Sequence, residues 1–305
     1  MSKRILLLAA TNMLVVLTVA LILNIFGLGR YLGGFGANQQ GLFLMCLLWG
    51  FGGAFFSLAI SRIVAKMCMG VQVIDPKAPG QFGELVRTVH ALAEKAGLPA
   101  MPEVGVYNSR EVNAFATGPT KSRSLVAVST GLLRRMDKDE VEGVLGHEIA
   151  HIANGDMVTM TLLQGLINAF VMFLAYAIAL AISASNRRDD REDSGRAYAN
   201  PWLVMGLQAA LSPLGYLVVA WFSRYREFRA DAGGARYAGK GKMVGALKSL
   251  NRVFGAHVDD DVDVDKRGGS LATLKISGRP SGLLALLSTH PPLEDRIARL
   301  QQAGA

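Results

Sequence analysis

The stretch Gly143-Val144-Leu145-Gly146-His147-Glu148-Ile149-Ala150-His151 decides how the rest of the chain reads. It places H-E-x-x-H inside Lys138 to Asn154, a segment whose apolar spacing predicts a helix with Asp137 as its cap and Gly155 as its stop. Helical residues four apart share a face about one turn apart, so His147 and His151 can both reach one Zn²⁺ at ~2.0–2.1 Å. Glu148 points beside such a metal rather than at it, where a carboxylate can act as a general base on an activated water. Val141, Leu145, Ile149 and Ile152 form a different stripe of the same helix, so the histidines are not simply part of its core-facing side.

A hydrolytic zinc site wants a third protein ligand and one open position. Glu227, in Ser223-Arg224-Tyr225-Arg226-Glu227-Phe228-Arg229-Ala230-Asp231, is the best candidate. Asp231 lies four residues further on the same face, within reach of a ligand imidazole. Two solvated acids in an Arg-rich helix are the alternative, and the first motif weighs against it. Connectivity supplies a separate check. His151 precedes one long apolar stretch and Glu227 follows the next, so two membrane crossings return the chain to the same side. At 1.5 Å per residue His151 lies within ~10 Å of the start of the first of these, which puts the metal near the membrane surface.

Those stretches belong to a set of four without charge: Ile5 to Gly29, Tyr31 to Ser61, Met157 to Asn186 and Ala197 to Ser223. Each matches or exceeds the ~20 residues that span hydrocarbon. In the second, the Gly- and Gln-rich start moves the spanning part to about Gly41. The first is too long for the apolar core of a signal peptide and reads as a retained anchor. Of the 305 residues 51% are hydrophobic and only 18% charged, which also points to a membrane class. The net charge of +8 gathers beside the apolar segments, at Lys3, Arg4, Arg62, Lys66, Arg224, Arg226 and Arg229. Positive-inside orientation explains that better than nucleic-acid binding does. Arg187 to Arg196 carries four further Arg and weakens the orientation. Cys46 and Cys68 have no evident mate and read as free thiols and apolar filler.

Between the second and third apolar stretches, Val71 to Asp156 reads as an α/β unit. Gln81 to Ala96 has helical spacing, Glu103 to Val106, Val112 to Thr117 and Ser124 to Ser129 read as strands, and the H-E-x-x-H helix follows. Beyond the fourth stretch, helices are expected over Tyr225 to Tyr237, Lys242 to Phe254 and Leu293 to Gln302. His257 to Pro280, dense in Asp and Gly, reads as a loop. Its aspartates lack the Gly and closing Glu of a calcium loop, and neither His90 nor His257 is assigned a role. The division is therefore residues 1–66, an N-terminal transmembrane hairpin; 67–156, the first part of a metalloprotease domain; 157–223, a second transmembrane hairpin; and 224–305, the second part, with the third ligand.

The H-E-x-x-H helix and the Ser223 to Asp231 stretch, with Val112-Asn113-Ala114-Phe115-Ala116 and Ser288-Thr289-His290-Pro291-Pro292, resemble the HtpX membrane proteases. These are gluzincins related to the integral-membrane prenyl-protein proteases. The resemblance implies an α+β, mainly helical fold: a zincin-like metalloprotease domain on four transmembrane helices, with one Zn²⁺ per chain. It implies Glu227 as the third ligand, Asp231 behind a ligand histidine, and the strand at Asn113 as an edge that takes substrate as an added strand. It further implies that Asn113 and His290 stabilise the tetrahedral oxyanion; a turn Asn and a helix-entry His are the plainer readings. The expected function is an endopeptidase that removes misfolded or damaged membrane proteins in a bacterial inner membrane, multi-pass, its catalytic domain facing the cytoplasm. Its expected partners are protein substrates, chiefly membrane proteins, and the lipid bilayer, with no nucleic acid. Two rivals stand beside it. A processing protease of the prenyl-protein type would need a chamber for the lipid, and four segments are few for that. A non-catalytic scaffold stabilised by zinc would have no use for Glu148.

Overall fold

A computed structural model describes residues 39–186, 199–256 and 289–302. The first apolar stretch, the Arg187 to Arg196 loop and the loop at His257 to Pro280 lie outside these residues. The described residues divide into two compact units, one of residues 39–56 with 161–186 and 199–218 and the other of residues 57–160 with 219–256 and 289–302.

Among the described residues, three helices are long and apolar enough to cross a membrane. They are α1 (Gln39–Cys68), α5 (Asp156–Asn186) and α6 (Pro201–Ala238). The apolar run in α1 is 28 residues, or about 42 Å at helical rise, against about 30 Å of hydrocarbon. Within the first unit Leu42, Met45 and Cys46 pack against Met172 and Phe173. A side chain at Gly50 would meet backbone atoms of Gly165 and Ala169 at 2.6 Å, the close backbone approach that small residues permit between membrane helices. Large apolar side chains such as Phe43, Leu48, Phe170 and Leu214 face outward, which lipid tolerates and water would not.

The second unit is built on a four-stranded sheet ordered β1 (Gln72–Val73), β2 (Glu103–Tyr107), β4 (Arg123–Ser129) and β3 (Ala114–Thr120). β2 and β4 are parallel, the other pairs antiparallel, and β3 is an edge. Successive side chains of β4 point to opposite faces. Val126 and Val128 join the main core with Leu85, Val89 and Leu92 of α2 (Gly80–Lys95) and with Leu145, Ile149 and Ile152. Leu125 and Ala127 join a smaller cluster with Ala65, Val71, Tyr107 and Phe115. Arg62, and Lys66 at 2.7 Å, pair with Glu103, tying the last turns of α1 to the sheet.

After the short α3 (Thr130–Arg135) comes α4 (Lys138–Asn154), which carries H-E-x-x-H. Asp137 and Glu140 close a capping box at its start. Gly155, at φ 71°, ends it in the left-handed conformation that glycine adopts without steric cost. Gly143 through Ile152 are all buried, so the stripe that carries the histidines is covered as completely as the apolar one. Small residues make this possible. A side chain at Gly146 would meet Ala238 Cβ at 2.9 Å, and one at Gly233 would meet Ala150 Cβ at 2.6 Å. α4 and α6 therefore approach closely. We expect Gly146→Val to force them apart at a cost of about 1–3 kcal/mol, lowering the unfolding temperature in detergent; an unchanged temperature would show the contact to be slack.

α6 runs unbroken from Pro201 to Ala238, so the helix expected from Tyr225 continues the fourth apolar stretch. β3 begins two residues later than the sequence implies, with Asn113 just before it. α7 (Lys240–Ala256) and α8 (Leu293–Gln302) complete the unit.

Candidate metal centre

Two helices bring the expected ligands together. α4 presents His147 and His151 from successive turns, and α6 presents Glu227; all three are buried, Glu227 at 0% exposure. The His147 and His151 Nε2 atoms are 3.1 Å apart. His147 Nε2 lies 3.4 Å from Glu227 Oε2, and His151 Nε2 lies 3.3 Å from Oε1. A tetrahedral ion bonded at ~2.0–2.1 Å separates its ligand atoms by about 3.3–3.4 Å, and these three separations fall near that value, each imidazole facing a different oxygen of the one carboxylate. Two imidazole nitrogens and a carboxylate are also a donor set that zinc accepts.

The outward nitrogens are held as well. His147 Nδ1 donates to Asp231 Oδ1 at 2.9 Å, as the spacing of Glu227 and Asp231 implied. His151 Nδ1 donates to Asp156 Oδ2 at 2.6 Å. Asp231 also receives Arg296 Nη2 at 2.5 Å and Nε at 2.8 Å. His290 Nδ1 donates to Glu227 Oε2 at 2.8 Å. Burial alone would pull the His147 imidazolium down, but its hydrogen bonds to Asp231 and Glu227 push its pKa up to about 9.

Glu148 is 5% exposed on the same helix. Arg296, also fully buried, is held charged against its own desolvation by Asp231 above all and then by Glu227 and Glu148. Asn113 Nδ2 donates to the Tyr107 hydroxyl at 2.9 Å. Burial first, with Glu111 and Glu148 adding their charges, pushes the Tyr107 phenol above its ordinary range. His290 thus stands on the metal triangle itself, while Asn113 stands with Tyr107 in the field of Glu148.

Sequence reasoning missed Asp156 and Arg296. Asp156 was visible only as the acid after a helix stop, and its distance from His151 is no helical repeat. Arg296 lay on a terminal helix with nothing local to link it to residues 65 positions earlier.

An H-E-x-x-H helix joined by a glutamate from a later helix, with three membrane-capable helices among the described residues, defines a membrane metalloprotease of the gluzincin kind. Residues 79–303 match the model of peptidase family M48, and the chain belongs to that family. It is 50% identical over 309 residues to Protease HtpX homolog of Bacillus licheniformis, covering 99% of each chain. It is 49% identical over 300 residues to Protease HtpX of Pasteurella multocida, covering 98% of each. Among solved structures it is similar to the crystal structure of S. mikatae Ste24p, with a TM-score of 0.61 at 19% identity, covering 95% of this chain and 66% of that one. That likeness concerns the fold.

Proposed function

We propose that the chain is a zinc endopeptidase that cleaves misfolded or damaged membrane proteins at the surface of a bacterial inner membrane, its catalytic unit on the cytoplasmic side. The observation that carries this reading is the buried cluster of His147, His151 and Glu227, whose facing donor atoms stand 3.1, 3.4 and 3.3 Å apart, close to the spacing of ligands on one ion. Zinc bound there supplies Lewis-acid polarisation of the scissile carbonyl and lowers the pKa of water. Glu148 takes the proton from the attacking water and returns it to the leaving amine. Asn113 and His290 donate hydrogen bonds to the oxygen on which charge develops. Asp231 holds His147 so that Nε2 faces inward. β3, at the sheet edge and starting beside Asn113, receives the substrate backbone as an added strand. The cytoplasmic placement rests on the basic residues flanking the apolar helices. The relatives named Protease HtpX, similar along the whole chain, support the choice of protein substrates.

The test uses the full chain in detergent with an unfolded membrane protein and, separately, a prenylated peptide. Chelation should abolish cleavage of the first and stoichiometric zinc should restore it. Preference for the prenylated peptide would move the chain to the processing enzymes. Cleavage that survives complete metal removal would end the metalloprotease reading of this site.

A further inference from the structure

The two ligand histidines are each backed by a carboxylate, but the two carboxylates stand in different surroundings. Asp231 accepts from His147 Nδ1 at 2.9 Å and from two nitrogens of Arg296 at 2.5 and 2.8 Å. Asp156, 3% exposed, accepts from His151 Nδ1 at 2.6 Å, and among the described residues no cationic side chain other than that imidazole pairs with it. A guanidinium that donates two hydrogen bonds draws the negative charge of its carboxylate toward itself. A carboxylate with one partner holds that partner alone, fixing the ring tautomer and the direction in which the far nitrogen points.

Backbone geometry puts Asp156 in that place. In an unbroken helix a residue five positions after His151 would lie about 140° around the axis from it. Gly155, at φ 71°, ends α4 by donating to the His151 and Ile152 carbonyls. The left-handed turn reverses the chain locally and brings the first residue of α5 back onto the His151 ring. An aspartate that merely opened a helix would need no buried imidazole as its partner.

We propose that Asp156 is the positioning residue that fixes the tautomer and orientation of the His151 ring toward the metal, whereas Asp231, shared with Arg296, both orients His147 and fastens α8 to α6. The inference rests on the metal-site reading above. It is tested by zinc affinity in competition with a chromophoric chelator, by the visible spectrum of the cobalt-substituted protein, and by the unfolding temperature of chelator-treated protein. Asp156→Asn should weaken zinc binding about 10- to 100-fold and shift the cobalt bands, with the unfolding temperature of the chelated protein unchanged. Asp231→Asn should lower that temperature. Glu227→Ala is the control. If it binds zinc like wild type, the metal-site reading falls and this inference with it. If it loses zinc while Asp156→Asn keeps wild-type affinity, this inference alone is overturned. Should Asp156→Asn not fold, Asp156→Glu carries the same comparison with the carboxylate displaced by one methylene: weaker binding supports the proposal and wild-type affinity refutes it.

Discussion

Glu148→Gln should leave a folded, zinc-loaded protein that hydrolyses peptide bonds 10²- to 10⁴-fold more slowly, the usual contribution of a positioned general base. The amide has the size and shape of the carboxylate but cannot take a proton from water at neutral pH. Among the described residues no hydrogen bond ends on the Glu148 carboxylate, so the change strands no partner. Its negative charge also falls on Arg296, which keeps Asp231 as its main counter-ion. Steady-state cleavage of an unfolded membrane protein, alongside metal content by atomic emission, checks both halves. Equal activity in the two proteins would remove Glu148 from the chemistry; zinc loss in the variant would make it a ligand rather than a base.

Glu227→Ala should fail at an earlier step. It removes the carboxylate that sits 3.4 and 3.3 Å from the two imidazole Nε2 atoms and leaves a two-nitrogen site. Losing a residue behind a ligand typically costs 10- to 100-fold in metal affinity, and losing the ligand itself should cost more. It also strips His290 of the oxygen it bonds at 2.8 Å. Breaking a buried charged contact destabilises by about 3–5 kcal/mol, so the unfolding temperature should fall together with the zinc content. Glu227→Gln separates the two effects. It keeps the volume and much of the hydrogen bonding but replaces an anionic ligand by a neutral one. A folded Glu227→Gln protein with weakened zinc binding fits the assignment; full zinc and full activity in either variant would place the third ligand elsewhere.

The sequence showed the parts of the site that depend on local spacing. His147 and His151 stand one turn apart on any helix, and the capping box at Asp137 and the stop at Gly155 marked where that helix begins and ends. Glu227 was legible less directly, through the pairing of two long apolar stretches between it and His151. Asp231 followed from it by helical repeat. What stayed hidden depended on geometry beyond one helix. Asp156 reaches His151 only because Gly155 turns the chain, and Arg296 reaches Asp231 only because α8 packs there. The same holds for the fold. The strand at Ser124 to Ser129 and the amphipathic helix α2 were legible, the helix because its apolar period reports which face is covered. The apolar stretch ending at Ser223 and the helix expected from Tyr225 are one continuous helix, α6, because the backbone runs on through the change from apolar to Arg-rich composition.

The most direct test of the central claim is X-ray absorption at the zinc edge of the purified full-length protein. One zinc per chain is expected, with two imidazole nitrogens and a carboxylate oxygen at ~2.0–2.1 Å and a further light-atom ligand from solvent, and with zinc lost in Glu227→Ala. An absent ion, a sulfur shell, or a closed set of four protein ligands that survives saturation with substrate would contradict it.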